Sequence, residues 1–194
     1  MSAQLFQIEA TGKVALDNLF FAYGANMNLA HLRQRCSHPV RVAVACLQNY
    51  RIGFYGHSEI WDGAMETAIE AEGSQLWGVL YALSGSDWDQ IDQWQDARFD
   101  GAGRYFHYPI QAMDAHGKRY DARLYKKDVL YAPQLPSNSY MELILDGARQ
   151  NQLPPAYIDS LSAIPTIPAH YAVPMRSGYT PSATASCASC DSTS

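Results

Sequence analysis

The sequence has little positive charge, no long apolar run and no leader-like start. The 194 residues carry a formal net charge of −5, and no basic stripe is present to displace the counterions of a nucleic acid. No apolar run approaches the roughly 20 residues that a membrane-spanning helix needs. Residues 1–6 lack the basic and apolar regions of a signal peptide. A cytoplasmic protein without nucleic-acid or membrane partners is therefore predicted.

Patterns that indicate disulfides or metal sites are equally sparse. Of the four cysteines, Cys36 and Cys46 lie in the body of the chain, and Cys187 and Cys190 form one C-x-x-C pair in a Ser/Thr/Ala-rich end. A structural zinc site needs four ligands, and the six histidines show no metal-ligand spacing, so no metal site is predicted. No serine lies in a G-x-S-x-G context, which argues against a serine hydrolase.

The composition is that of a globular protein, and the length suits one domain. We predict a lead-in over residues 1–17, a domain over 18–168 and a flexible C-terminal tail over 169–194. The predicted strands are 19–24, 41–47, 50–55, 75–83, 105–112 and 119–125, with turns at 73–74 and 114–117. Helices are predicted over 27–35, 138–151 and 155–163. A further helix, capped by Ser86 or Asp87, is predicted to run through Trp94. Residues 65–71 fit either a helix or a strand.

The segment 20–28 is the most informative local feature, because an aromatic, β-prone run ends there in Tyr-Gly-Ala-Asn before a helix-like stretch. Gly24 can adopt φ > 0 and expose backbone N–H groups, and Asn26 is a candidate N-cap. The helix start carries partial positive charge, so the segment could cradle an anionic or carboxylate-bearing ligand. On its own, the segment fits an ordinary strand-to-helix connection equally well.

Three segments in order resemble the γ-glutamylcyclotransferase-like superfamily over roughly residues 18–165. Tyr23–Met27 is similar to its Tyr-Gly-Ser-Asn-Met/Leu loop, and Leu76–Leu83, followed by Ile91-Asp92, is similar to its central strand and the Leu-Asp after it. Residues 136–157 resemble its C-terminal helical region. The resemblance implies an α+β fold, a small mixed β-barrel flanked by helices, for the domain 18–168.

Members of that superfamily cleave γ-glutamyl amides by intramolecular cyclisation, releasing 5-oxoproline and an amine or amino acid without a cofactor. The substrate's own α-amine is the nucleophile, so the enzyme has only to hold the substrate and move protons. The resemblance implies a small-molecule substrate, a monomer or homodimer, and substrate-binding residues at Tyr23, Gly24, Ala25, Asn26, Met27, Tyr125 and Tyr140. Tyr125 and Tyr140 also fit core aromatics, and Tyr105 fits either the pocket or the barrel wall.

One position departs from the family pattern. The family's acid/base glutamate follows Leu-Asp in Leu-Asp-x-x-Glu, and the matching residue here is Gln95. A carboxamide cannot transfer protons near neutral pH, and a lost acid/base typically slows a reaction by about 10²–10⁴-fold.

Four explanations of Gln95 are open on the sequence. Glutamine could stand in place of a native glutamate as a substrate trap, or the base could have moved to Asp96, Asp100, Glu66 or Glu70. Gln95 could instead orient a substrate or water while the chemistry differs, or the chain could be a catalytically silent binding protein. An amide hydrolase, in which water replaces the internal amine, is a further alternative.

Overall fold

The computed structural model describes residues 18–98, 100 and 102–175. The strands are β1 (Leu19–Ala22), β2 (Val40–Ser58), β3 (Gly63–Ala82), β4 (Phe106–Asp114) and β5 (Arg119–Lys126). The helices are α1 (Leu29–Leu32), α2 (Gly85–Gln95), α3 (Asn138–Gln150) and α4 (Pro155–Ser162), and a 3₁₀ turn covers Ala25–Met27. The lead-in 1–17 and the pair Cys187 and Cys190 lie outside the described residues.

The five strands close into a barrel in the order β1-β3-β2-β4-β5. Strand β1 closes it, since Leu19 pairs with Ala82 of β3 in antiparallel sense and with Ala122 of β5 in parallel sense. The other neighbouring pairs are antiparallel. The predicted mixed barrel flanked by helices is confirmed. All four residues of β1 are buried, which explains why its sequence is apolar throughout and does not alternate.

The long hairpin of β2 and β3 differs from the prediction of several short strands. Gln48 pairs with Gln75 whereas Tyr50 pairs with Glu70, so residues 71–74 bulge opposite Asn49 while both strands continue. Gly73 has φ of +74° in this bulge, and its N–H donates to Asn49 Oδ1 at 3.0 Å. The predicted turn at 73–74 is wrong, since β3 continues through these residues. A bulge interrupts the alternation of apolar and polar residues in the same way as the end of a strand, so the two look alike in the sequence. The ambiguous segment 65–71 is a strand.

The helices lie close to their predicted positions, with different capping chemistry. Ser84 caps α2, its hydroxyl accepting from the N–H of Asp87 at 3.1 Å while Asp87 reaches back to the Ser84 N–H. Asp87 is therefore the third residue of a capping box, and the predicted caps at Ser86 or Asp87 are wrong. Ser137 precedes α3 as predicted, but its hydroxyl donates to the Trp61 carbonyl.

Helix α3 and strand β3 fix the loop that follows β1. The carbonyl oxygen of Met27 accepts from the Tyr81 hydroxyl at 3.0 Å and from Asn151 Nδ2 at 2.9 Å. A Cβ at Gly147 of α3 would lie 2.6 Å from the Asn28 nitrogen, so the helix approaches the loop backbone to a distance that only glycine permits. The loop is thus held from behind, and its other side is left to the pocket described below.

Residues 169–175 contact the body of the protein. The His170 N–H donates to Asp62 Oδ2, and the Met175 N–H donates to the Ile60 carbonyl at 2.7 Å. Residues 176–194 of the predicted tail lie outside the described part of the chain, so the proposed boundaries stay predictions. None of the helices in the described ranges is long and apolar enough to cross a membrane.

Candidate active site

A pocket lies where β1 runs into the glycine loop. Its walls come from β1, the loop, β3, the end of α2, β5 and the residue before β4. They are formed by Phe20, Phe21, Ala22, Tyr23, Gly24, Asn26, Glu66, Gln95, Tyr105 and Tyr125. The cavity volume is about 10 Å³, room for about one water molecule.

Gly24 is required for space and not for an unusual backbone conformation. Its φ is −117°, so the predicted φ > 0 is wrong. A Cβ at this position would lie 2.0 Å from Glu66 Oε1 and 2.5 Å from Glu66 Cδ. The carboxyl group of Glu66 therefore lies directly against the backbone of the loop.

The loop does not form the predicted helix-terminus cradle. Asn28 caps α1, its Oδ1 accepting from the His31 N–H at 3.0 Å, so the predicted N-cap at Asn26 is wrong. The 3₁₀ turn over Ala25–Met27 uses the residues that were expected to begin the helix, and α1 is only four residues long. Asn26 instead lines the pocket, and its Oδ1 accepts from Arg35 Nη2 at 3.2 Å.

Glu66 is a buried carboxyl group with defined hydrogen-bond partners. The Tyr140 hydroxyl donates to its Oε2, and the Tyr105 hydroxyl donates to its main-chain oxygen at 2.6 Å. Burial raises the pKa of Glu66, against the lowering effects of the Tyr140 hydrogen bond and of the Lys127 charge. A carboxyl group whose pKa is raised in this way is a candidate for proton transfer.

The tyrosines around Glu66 remain protonated donors at neutral pH. Burial raises the pKa values of Tyr23, Tyr105 and Tyr140 well above 10, and the charge of Glu66 adds to the shift in each case. The Tyr23 hydroxyl donates to the main-chain oxygen of Tyr125. These rings form a rigid wall, since each of their hydroxyls has an acceptor in the fold.

Gln95 is the last residue of α2 and is only 6% exposed. Within the described residues its side-chain amide makes no hydrogen bond, and it lines the same pocket as Glu66. One turn earlier, Asp92 accepts from the Tyr125 hydroxyl and lies 2.6 Å from His107 Nε2. The Ile91-Asp92 motif thus anchors α2 to β4 and β5, which places Gln95 at the pocket.

The structure separates the four carboxylates that could replace a missing glutamate. Asp96, Asp100 and Glu70 have exposed side chains that lie within 4 Å of Arg104, Arg98 and Lys126, respectively. Asp96 ends α2 in the left-handed region, with φ of 50°. Of the four, only Glu66 is buried and lines the pocket.

Most of the predicted site residues meet at this pocket. Tyr23, Gly24, Asn26, Gln95 and Tyr125 line it, whereas Ala25 and Met27 are buried behind the loop and Tyr140 reaches it through Glu66. Their substrate-binding roles stay predictions. Arg35, which contacts Asn26, carries no local sequence signal, because a single arginine after a helical segment belongs to no motif.

Comparisons with known proteins agree with this fold. A model of the AIG2-like family matches residues 75–161. γ-Glutamylcyclotransferase of Mus musculus is 30% identical over 150 residues, 75% of this chain and 78% of the relative. The Homo sapiens protein of the same name is 28% identical over 160 residues, which are 80% of this chain and 83% of the relative. A solved γ-glutamyl cyclotransferase structure matches with a TM-score of 0.74 and 28% identity, over 80% of this chain and 92% of that one.

The closed mixed barrel is therefore the fold of a known class of enzymes. The chain belongs to the γ-glutamylcyclotransferase family. The resemblance of the three sequence segments is confirmed.

Proposed function

We propose that this chain cleaves γ-glutamyl amides by intramolecular cyclisation, releasing 5-oxoproline and a free amine or amino acid, with Glu66 as the acid/base. The observation that carries the proposal is the placement of Glu66, a buried carboxyl group against the glycine loop, in the pocket that also contains Gln95. The name of the similar mouse and human proteins supports the same reaction.

In this mechanism, Glu66 carries one proton between two nitrogen atoms. The substrate's α-amine attacks the γ-carbonyl carbon and forms the ring C–N bond while the Glu66 carboxylate takes a proton from the amine. The resulting carboxylic acid gives that proton to the leaving nitrogen as the original amide C–N bond breaks, which regenerates the carboxylate. The internal nucleophile makes the ring closure effectively unimolecular, so one proton carrier suffices.

The remaining pocket residues hold the substrate. The main-chain N–H groups of Gly24 and Ala25 and the Asn26 side chain are the donors of the glycine loop that suit the substrate's oxygens, whereas the Met27 N–H donates to the Gly24 carbonyl at 3.0 Å. Tyr125 and Tyr140 restrict the positions of the γ-glutamyl group and of Glu66. Gln95 has two donors and an acceptor but no titratable proton, so we assign it to orientation of the substrate.

Amide hydrolysis is a second candidate, because the Glu66 carboxylate could equally take a proton from an attacking water. The volume of about 10 Å³ beside Glu66 accommodates about one water molecule. In hydrolysis, that water would attack in place of the α-amine, and glutamate would form instead of 5-oxoproline. The identity of the product therefore separates the two reactions.

The test is to incubate the purified chain with γ-glutamyl amines and γ-glutamyl amino acids and to quantify 5-oxoproline and glutamate by mass spectrometry. We expect 5-oxoproline, and a loss of about 10²–10⁴-fold in kcat/KM for Glu66→Gln. Glu70→Gln is the matched control, because Glu70 lies four residues along the same strand with an exposed side chain. Its activity should equal that of the unchanged chain.

Three results would contradict the proposal. If Glu66→Gln keeps full activity, Glu66 is not the acid/base. If the unchanged chain binds γ-glutamyl compounds but releases neither product, and Gln95→Glu restores turnover, the base belongs at position 95. Binding without turnover in either protein would identify a silent binding protein. The cytoplasmic location and the monomeric or homodimeric state stay predictions from the sequence.

A further inference from the structure

Arg35 is a half-buried cation for which the fold supplies no anionic partner. Its guanidinium carbon lies 4.2 Å from the centroid of the Trp94 ring, and its Nη2 donates to Asn26 Oδ1 at 3.2 Å. Its Nε is buried without a hydrogen bond, and among the described residues no carboxylate lies within 4 Å of the guanidinium nitrogens. Burying part of a guanidinium group costs free energy of folding unless a negatively charged or hydrogen-bonding partner compensates the charge.

Among the described residues, the neighbours of Arg35 supply no negative charge, and the face of the Trp94 ring compensates the cation only in part. His31 packs between Trp61 and Trp94, and burial, followed by the Arg35 charge, lowers its pKa to about 3, so it is neutral. Burial lowers the pKa of Arg35 to about 10, which leaves it charged at neutral pH. One positive charge therefore lies next to the pocket with no counter-charge from the part of the chain that the structure describes.

Arg35 also determines which way the Asn26 amide faces. An arginine has only donors, so the atom it contacts must be the carbonyl oxygen of the amide. The Nδ2 group of Asn26, with its two N–H donors, is left for other partners, and Asn26 lines the pocket. Donors backed by a positive charge suit a negatively charged oxygen.

We propose that Asn26 Nδ2, positioned and supported by Arg35, holds the α-carboxylate of the γ-glutamyl group. This assignment rests on the proposed function. The α-carboxylate carries a full charge before and after the reaction, which matches a permanent uncompensated cation. The Glu66 side chain in the same pocket already accepts from the Tyr140 hydroxyl and offers oxygen acceptors, so the Asn26 N–H donors are the group that suits the substrate's carboxylate.

Binding of the product ring tests the proposal without requiring turnover. 5-Oxoproline carries the carboxylate, whereas 2-pyrrolidinone is the same ring without it. We expect Arg35→Met to weaken binding of 5-oxoproline by about 10-fold or more, as for a lost hydrogen bond to a charged group, and to leave binding of 2-pyrrolidinone unchanged. Arg35→Lys should lose part of the affinity. Titration calorimetry or ligand-detected NMR gives the dissociation constants.

Arg33→Met is the matched control, since it removes the same charge from an exposed position two residues earlier in the chain, at the C-cap of α1. It should bind both compounds as the unchanged chain does, and thermal unfolding of each variant reports whether it folds. Equal losses for the two compounds, or no loss in Arg35→Met, would overturn the proposal. So would failure of the unchanged chain to prefer 5-oxoproline.

Kinetics separate this result from the proposed function. With a γ-glutamyl amide, Arg35→Met should raise KM more than it lowers kcat, while a 4-aminobutanoyl amide, which lacks the α-carboxylate, should be insensitive to the substitution. An equal fall in kcat for both substrates would overturn the assignment even if 5-oxoproline is released. Preferential binding of 5-oxoproline without turnover would retain the carboxylate site and refute the cyclisation.

Discussion

At the scale of single residues, the pocket contains a carboxyl group and a carboxamide that face the same space. Glu66 comes from near the start of strand β3 and Gln95 from the end of helix α2. Glu66 has the Tyr140 hydroxyl as a partner, whereas the Gln95 amide has none within the described residues. In the proposed mechanism, the proton carrier is thus the side chain that has a hydrogen-bond partner in the fold, and the Gln95 amide is left to bind a ligand.

The raised pKa of Glu66 makes stability depend on pH in a defined direction. Its protonated form is favoured in the folded state, so this contribution is fully present below the ordinary value of 4.5 and is lost as the pH rises through the folded pKa. Glu66→Gln stays neutral and keeps an acceptor for Tyr140. Relative to this variant, the unchanged chain should lose about 1.4 kcal/mol of unfolding free energy per pH unit between the two pKa values.

Urea unfolding of both proteins from pH 4 to pH 8 measures this difference, with Glu70→Gln as the control. A difference that does not change with pH would contradict the burial of an ionisable Glu66. Activity should follow the opposite trend, with kcat/KM rising through the same pKa, because the base must be ionised to accept a proton.

At the scale of elements, the close approach of α3 to the glycine loop fixes the back of the site. Alanine usually stabilises a helix interior relative to glycine by about 1 kcal/mol. At Gly147 it should destabilise instead, because the added Cβ would lie 2.6 Å from the Asn28 nitrogen and 2.9 Å from the Met27 carbonyl carbon. We expect Gly147→Ala to cost about 1–3 kcal/mol, as overpacking does, and to reduce activity by shifting the loop.

Chemical unfolding and 5-oxoproline release measure the two effects. Gly85→Ala is the matched control, since a Cβ at Gly85, at the start of α2, has no atom within 4 Å. It should be neutral or slightly stabilising. A Gly147→Ala protein as stable and active as the Gly85→Ala protein would refute the close approach.

The sequence predicts elements well where the signals are local. The β4–β5 hairpin with its 114–117 turn and the helices α3 and α4 agree closely with prediction, because turn residues and prolines mark their ends. The β2–β3 hairpin was divided in error because the bulge at Asn49 interrupts the alternation.

The site was predictable only in part, for a related reason. Tyr23, Gly24 and Asn26 are neighbours in the chain, and their motif shows them directly. Glu66 was one of four carboxylates that the sequence left open, since its burial depends on closure of the barrel around it. Arg35 has no motif, and its lack of a counter-charge is visible only when every surrounding element is in place.

At the scale of the whole molecule, Asp92 joins the outer helix α2 to the barrel. It accepts from the Tyr125 hydroxyl of β5 and lies 2.6 Å from His107 Nε2 of β4. Asp92→Asn removes the charge from both contacts, and we expect it to cost about 1.5–3 kcal/mol, the usual contribution of a hydrogen bond to a charged group. The displaced helix end should also lower activity through Gln95.

Thermal and urea unfolding measure the loss, and Asp89→Asn is the control because Asp89 is an exposed residue of the same helix. A cost no greater than that of Asp89→Asn would mean that α2 is held by its apolar contacts alone.

The hydrogen bonds to the carbonyl oxygen of Met27 determine when the glycine loop becomes fixed during synthesis of the chain. Its two donors, Tyr81 and Asn151, lie 54 and 124 residues further along the chain. During synthesis, the glycine loop leaves the ribosome before α3 and lacks its final anchor until α3 has emerged. Since long-range contacts of this kind form late, a nascent chain that ends before Asn151 has no finished binding loop, and ligand affinity arises only after α3 has been made.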